Sequence, residues 1–122
     1  MQLSAIMAGM AHAIVYTEFG APEVLTLTEV PQPTAAEGQV VVAVTAAGVN
    51  PIEYKLRSKL RPSAPITEPR RLGSDGAGVV SAIGSGVDGL RVGQRVAFWG
   101  AAGAYASHIA ISANNVVPLP AD

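Results

Sequence analysis

Cysteine is absent from the 122-residue sequence, and histidine occurs only at His12 and His108. No disulfide framework, thiolate nucleophile or cysteine-built zinc site can form, and two histidines alone make a poor metal centre. Charge is also sparse. Only 14% of residues are charged and the formal net charge is -1, so the whole chain has no pull toward nucleic acid or an anionic membrane. Aromatic residues make up 5%, and none are interleaved with the main basic stretch to stack bases. No apolar run approaches the length needed to span a bilayer, and the opening residues lack the charged start and apolar centre of a signal peptide. Residues 1–9 read as an extension without function. Together these absences predict a soluble, cytoplasmic protein with neither a membrane nor a nucleic-acid partner.

What is present is apolar. Hydrophobic residues make up 49% of a chain long enough to bury one core, so some apolar surface is expected to belong to an interface. His12 to Tyr16 reads as a strand that Gly20 and Pro22 end, and Val24 to Val30 as a second strand with one polar face. Gln39 to Ala47, rich in Val and Thr, gives the strongest β signal and is too uniformly apolar for an exposed strand. Ser58 to Arg70 carries Pro62, Pro65 and Pro69 and reads as an extended loop. The glycines from Gly73 to Gly84 lack the strand-to-helix context of a dinucleotide fingerprint and the Lys-Ser/Thr of a phosphate loop. They are expected to let strands bend and backbones approach. A turn at Val92 to Val96 leads into a strand ending near Trp99, followed by strands from Ala104 to Ile111 and from Asn115 to Leu119. Short strands at even spacing, with one short helix, predict a small barrel or rolled sheet.

The chemically usable groups concentrate at Ala46-Ala47-Gly48-Val49-Asn50-Pro51-Ile52-Glu53-Tyr54-Lys55-Leu56-Arg57. Pro51 forces Asn50 into an extended conformation and suits the first position of a helix, which makes Asn50 the corner between strand and helix. On that helix Ile52 and Leu56 face a core, Glu53 and Arg57 can pair on one side, and Tyr54 points nearly opposite the apolar stripe with Lys55 beside it. Six of the eight Lys and Arg residues, Lys55, Arg57, Lys59, Arg61, Arg70 and Arg71, lie in or beside the following loop. That pattern suits either a solvated loop or a lid that attracts an anionic ligand.

From Met10 onward the chain resembles the N-terminal, GroES-like domain of medium-chain dehydrogenases/reductases, in the zinc-free quinone oxidoreductase branch. The resemblance is carried, in order, by Ala13-Ile14-Val15-Tyr16, Gly20-Ala21-Pro22-Glu23-Val24-Leu25, Ala46 to Pro51, Gly73-Ser74-Asp75-Gly76-Ala77-Gly78-Val79-Val80, Val92 to Val96 and Gly103-Ala104-Tyr105-Ala106. It implies a mainly β, partly open GroES-like barrel over residues 10–122 with one or two short helices. Zinc-dependent relatives carry Cys at the place of Asn50 and His-Glu at the place of Ser74-Asp75, so no zinc is expected here.

The same resemblance implies an NADPH-dependent transfer of hydride to a quinone or activated alkene. Charge growing on the substrate oxygen would then be met by the Asn50 amide, the Tyr54 hydroxyl and the Lys55 ammonium. Asn50, Pro51 and Ser74 would adjoin the cofactor, although Asn50 also has a plain alternative as a cap for the corner. Asp75 is expected to orient its neighbours, and His108 to be an ordinary strand histidine. Members of the family continue into a Rossmann domain that holds the cofactor, which this sequence lacks. The expectation is therefore a piece of a longer enzyme, inactive alone, that dimerises through the missing domain. Two alternatives stay open: a stand-alone binding module without chemistry, and an enoyl-thioester reductase whose basic loop holds the substrate's phosphates.

Overall fold

The organising strand is β3, Gln39–Ala47. Its first half is buried on both faces, with Val40, Val41 and Val42 at 0–1% exposure, as a uniformly apolar run requires. The computed structural model describes residues 10–120; the expected extension over residues 1–9 and the chain end at Asp122 lie outside the described residues.

Around β3 the remaining strands fall into two sheets. β1 (Met10–Tyr16) is flanked by β2 (Thr26–Pro31) and the short β4 (Arg70–Arg71), giving the order β2-β1-β4. The second sheet adds β5 (Gly76–Ile83), β6 (Arg95–Phe98), β7 (His108–Ser112) and β8 (Val116–Pro118) in the order β7-β3-β5-β6-β8. All its pairings are antiparallel. Val40, Val42, Val80, Val96, Phe98, Ile109 and Ile111 fill the space it encloses. Each fully buried valine contributes on the order of 1.5–3 kcal/mol relative to an exposed one. The expected mainly β, partly open architecture is present, with two sheets and no closed barrel among the described residues.

The only α-helix among the described residues is α1 (Pro51–Arg57), accompanied by 3-10 turns at Pro22–Val24 and Ala113–Asn115. The strand expected from Val24 starts later because Pro22 sets the turn, which Leu25 N–H closes on the Pro22 carbonyl at 3.0 Å. The strand expected from Asn115 likewise begins one residue on, after the second turn.

A further difference lies in Ala104 to Ile111, expected as one strand. The residues before His108 instead cross between the sheets. Ile14 N–H donates to Tyr105 O at 2.9 Å, Ser107 N–H donates to His12 O at 2.8 Å, and Val44 N–H donates to Ser107 O at 2.9 Å. Ser107 Oγ also accepts His12 N–H at 2.9 Å. This crossing segment ties the sheets together where β3 approaches α1.

The β3–β5 register shifts between Val44 and Ala46 and then resumes with Ala46 opposite Ala77 and Ala47 opposite Gly76. Such an irregularity re-aims a strand. Gly76 permits it, because a Cβ there would collide with the Ala46 carbonyl and lie 2.8 Å from Phe98 Cζ. β3 is thereby delivered to the corner that Asn50 occupies.

Candidate functional site

Asn50 has extended backbone angles, φ -119° and ψ 157°, and Pro51 opens α1 behind it. The side chain does not cap the helix. Its Nδ2 donates instead to Asp75 Oδ1 at 3.3 Å, across 25 positions of sequence. Only the amide nitrogen can donate to a carboxylate, so this bond fixes which way the amide faces. A second bond, Gly48 N–H to Asp75 O at 2.9 Å, locks the backbone beneath the pair. Asp75 thereby holds the Asn50 amide in one orientation.

Ser74 is partly buried next to this pair, and its carbonyl accepts Ala101 N–H at 2.9 Å. Ser74 lines a cavity of about 240 Å³ together with Ile52, Leu56, Arg71 and Ala101. The other expected site residues stand elsewhere. Tyr54 is 46% exposed and lines a second cavity of about 260 Å³ on another side of α1. Lys55 is exposed and lines neither cavity, while its carbonyl accepts Arg61 N–H at 3.1 Å. Pro51 is exposed at the helix start. The structure thus joins Asn50 to Asp75, next to Ser74 in the chain, and sets Tyr54 in a different cavity from Ser74.

Glu53 departs from expectation. In place of a surface pair with Arg57, it is 4% exposed, and neither carboxylate oxygen has a hydrogen-bond partner. Arg57 donates instead to the Gly20 carbonyl. Glu53 lines both cavities, and the Tyr105 hydroxyl lies close to its carboxylate without meeting hydrogen-bond geometry. Burial first, then the Glu53 carboxylate, by its charge and by its pull on the phenol hydrogen, and last Asp75, raise the Tyr105 phenol above its ordinary value of 10.0. The neutral phenol is therefore favoured by folding. Its contribution to stability is present below pH 10.0 and is lost as pH rises through the raised folded value. Urea midpoints measured from about pH 9 to about pH 11 are expected to fall more steeply for the native sequence than for Tyr105→Phe. Parallel slopes would remove this assignment.

In the basic loop, Lys59 Nζ and Arg70 Cζ lie 5.3 and 5.6 Å from the Phe19 ring centroid. Arg70 also donates to the Ala64 and Pro65 carbonyls at 2.9 and 3.0 Å. Part of the charge that the sequence displays is thus used to hold the loop. Among the described residues, no three His, Cys, Asp or Glu side chains converge as a metal site, and no helix is long and apolar enough to cross a membrane.

The geometry has parallels among known proteins. The alcohol dehydrogenase GroES-like domain profile matches residues 36–121. Quinone oxidoreductase from Rattus norvegicus is 39% identical over 116 residues, covering 91% of this chain and 34% of that protein. Quinone oxidoreductase 1 from Escherichia coli is 40% identical over 113 residues, covering 92% and 34%. The crystal structure of Escherichia coli quinone oxidoreductase complexed with NADPH superimposes with a TM-score of 0.80 at 35% identity, covering 90% of this chain and 33% of that one. The chain spans about a third of the length of the curated relatives it matches. By profile, sequence and fold, it belongs to the alcohol dehydrogenase GroES-like domain family, with quinone oxidoreductases among its relatives.

Proposed function

We propose that this chain is the substrate-side domain of a zinc-independent, NADPH-dependent oxidoreductase that transfers hydride to a quinone or an activated alkene. The observation that carries the reading is the Asn50 amide, released from the helix cap and oriented by Asp75 at the mouth of the corner. One Nδ2 hydrogen is used by Asp75, so the second is available to an incoming oxygen. As a carbonyl takes up hydride its oxygen gains negative charge, and a donor already fixed in place stabilises that charge without reorganising. NADPH, when bound, supplies the hydride. The hydroxyl of Ser74 and the amide of Asn50 suit the uncharged nicotinamide carboxamide, and Pro51 would close the ring's edge. Tyr54 and Lys55 would contribute from the rim.

Zinc-independence follows the donor set. An amide, a hydroxyl and one carboxylate at Asn50, Ser74 and Asp75 offer neither the thiolate nor the imidazole that a catalytic zinc takes. A cytoplasmic place and dimerisation through a nucleotide-binding domain outside this sequence belong to the same proposal.

The test uses the longer protein that carries this domain, with NADPH oxidation followed against para-benzoquinone, an enone and a saturated ketone. Turnover is expected with the first two, undiminished by a metal chelator, and none is expected from this chain alone. Absence of turnover on both acceptors, or its loss to chelation, would overturn the reading.

A further inference from the structure

Glu53 presents a carboxyl group at 4% exposure in the wall between two cavities, with the Tyr105 hydroxyl beside it and no hydrogen-bond geometry met among the described residues. Leaving a buried acceptor unmet costs its desolvation, so such a group accepts a donor supplied from outside when one fits. Of the two, the cavity that Tyr54 and Tyr105 line has the better fit. Leu25, Val49 and Leu72 make it apolar, Tyr54 adds a ring, and Tyr105 stands beside Glu53.

Those two polar groups are complementary. The Tyr105 phenol is held in its neutral form and can donate, while the Glu53 carboxylate accepts. A hydroxyl does both at once. An ether can only accept, and an ammonium can only donate. An ammonium would also enter beside the guanidinium of Arg57, which lines the same cavity. The apolar wall with two tyrosines favours a ring on the hydroxyl over a sugar-like polyol.

We infer that this cavity is a binding site for a small phenol, whose hydroxyl donates to Glu53 and accepts from Tyr105 while its ring lies against Tyr54 and Leu25. Both Glu53 oxygens sit just behind the wall, so binding includes a turn of that side chain into the cavity. The site shares Glu53 and Leu72 with the cavity that Ser74 lines, and binding there does not depend on hydride transfer.

Amide NMR titrations of the 122-residue chain with para-ethylphenol, para-ethylanisole and para-ethylbenzylamine test it. The phenol is expected to shift Val49, Leu72 and Tyr105, and to bind about tenfold or more tightly than the ether and the amine. In Glu53→Leu the phenol and the ether should bind alike. Equal affinities for the native chain, shifts confined to other residues, no binding of the phenol, or a preference that survives Glu53→Leu would each overturn the inference. If Glu53→Leu does not fold, Tyr105→Phe replaces it: a reduced preference for the phenol supports the site, and an unchanged one overturns it.

Discussion

Replacing Gly73 by alanine is expected to destabilise the chain by about 3 kcal/mol or more, a large part of what holds a small domain folded. Two separate effects act there. Gly73 has φ 104°, a region in which a side chain raises the energy by roughly 1–2 kcal/mol. In addition, a Cβ would lie 2.8 Å from the backbone nitrogens of Ala104 and Tyr105 and 2.9 Å from Ala104 Cβ. These atoms cannot swing aside. Ala104 N–H donates to the Gly73 carbonyl and Tyr105 N–H to the Leu72 carbonyl, both at 3.0 Å, and Tyr105 O in turn accepts Ile14 N–H. Accommodating one methyl group means displacing the segment that joins the sheets, which costs about 1–3 kcal/mol further.

Gly89 separates the two effects. Its φ is 83°, yet a methyl group added there would meet nothing within 4 Å, so Gly89→Ala should show the conformational part alone. Urea unfolding followed by Trp99 fluorescence should give a clearly lower midpoint for Gly73→Ala than for Gly89→Ala. Equal midpoints would mean that the contact with the crossing segment has no energetic weight.

Gly73 also shows which parts of the fold the sequence reveals. The uniformly apolar run of β3 and the proline that starts α1 act through their immediate neighbours, so their consequences can be read along the chain. Glu53 is different. It stands three residues before Leu56 on the flank of the apolar stripe, and helical spacing permits either a surface pair with Arg57 or burial. The choice falls to Leu72 and Tyr105, which approach from distant parts of the chain to line the same cavity. Asn50 is legible as a corner residue, but its release from capping depends on Asp75, 25 positions away. Tyr105 lies within a stretch that reads as strand, and nothing in its neighbours marks the crossing from β1 to β3. Only the unusual placing of an acid beside two apolar helix positions hints at the second cavity.

In the longer protein, Asn50→Ala is expected to lower kcat about 100-fold or more, the range for removing one fixed donor from a developing oxyanion. Stability separates this loss from a structural one. Alanine at a helix cap ordinarily costs about 1 kcal/mol, but the Asn50 side chain makes no capping bond. The fall in urea midpoint should therefore reflect only the lost bond to Asp75, about 1 kcal/mol, and leave the protein folded in the assay. Asn50→Asp should be worse for turnover than Asn50→Ala. It removes the donor and sets a second carboxylate beside Asp75 and the growing negative charge. Asp75→Ala keeps the amide but frees it to turn, so its loss in kcat should be smaller, on the order of tenfold. The order Asn50→Asp, Asn50→Ala, Asp75→Ala, from most to least damaging, belongs to a donor that acts on charge. A simple spacer at the corner would tolerate Asp as readily as Ala, and kcat values within a few-fold of the native enzyme for both Asn50 variants would reduce the residue to that role.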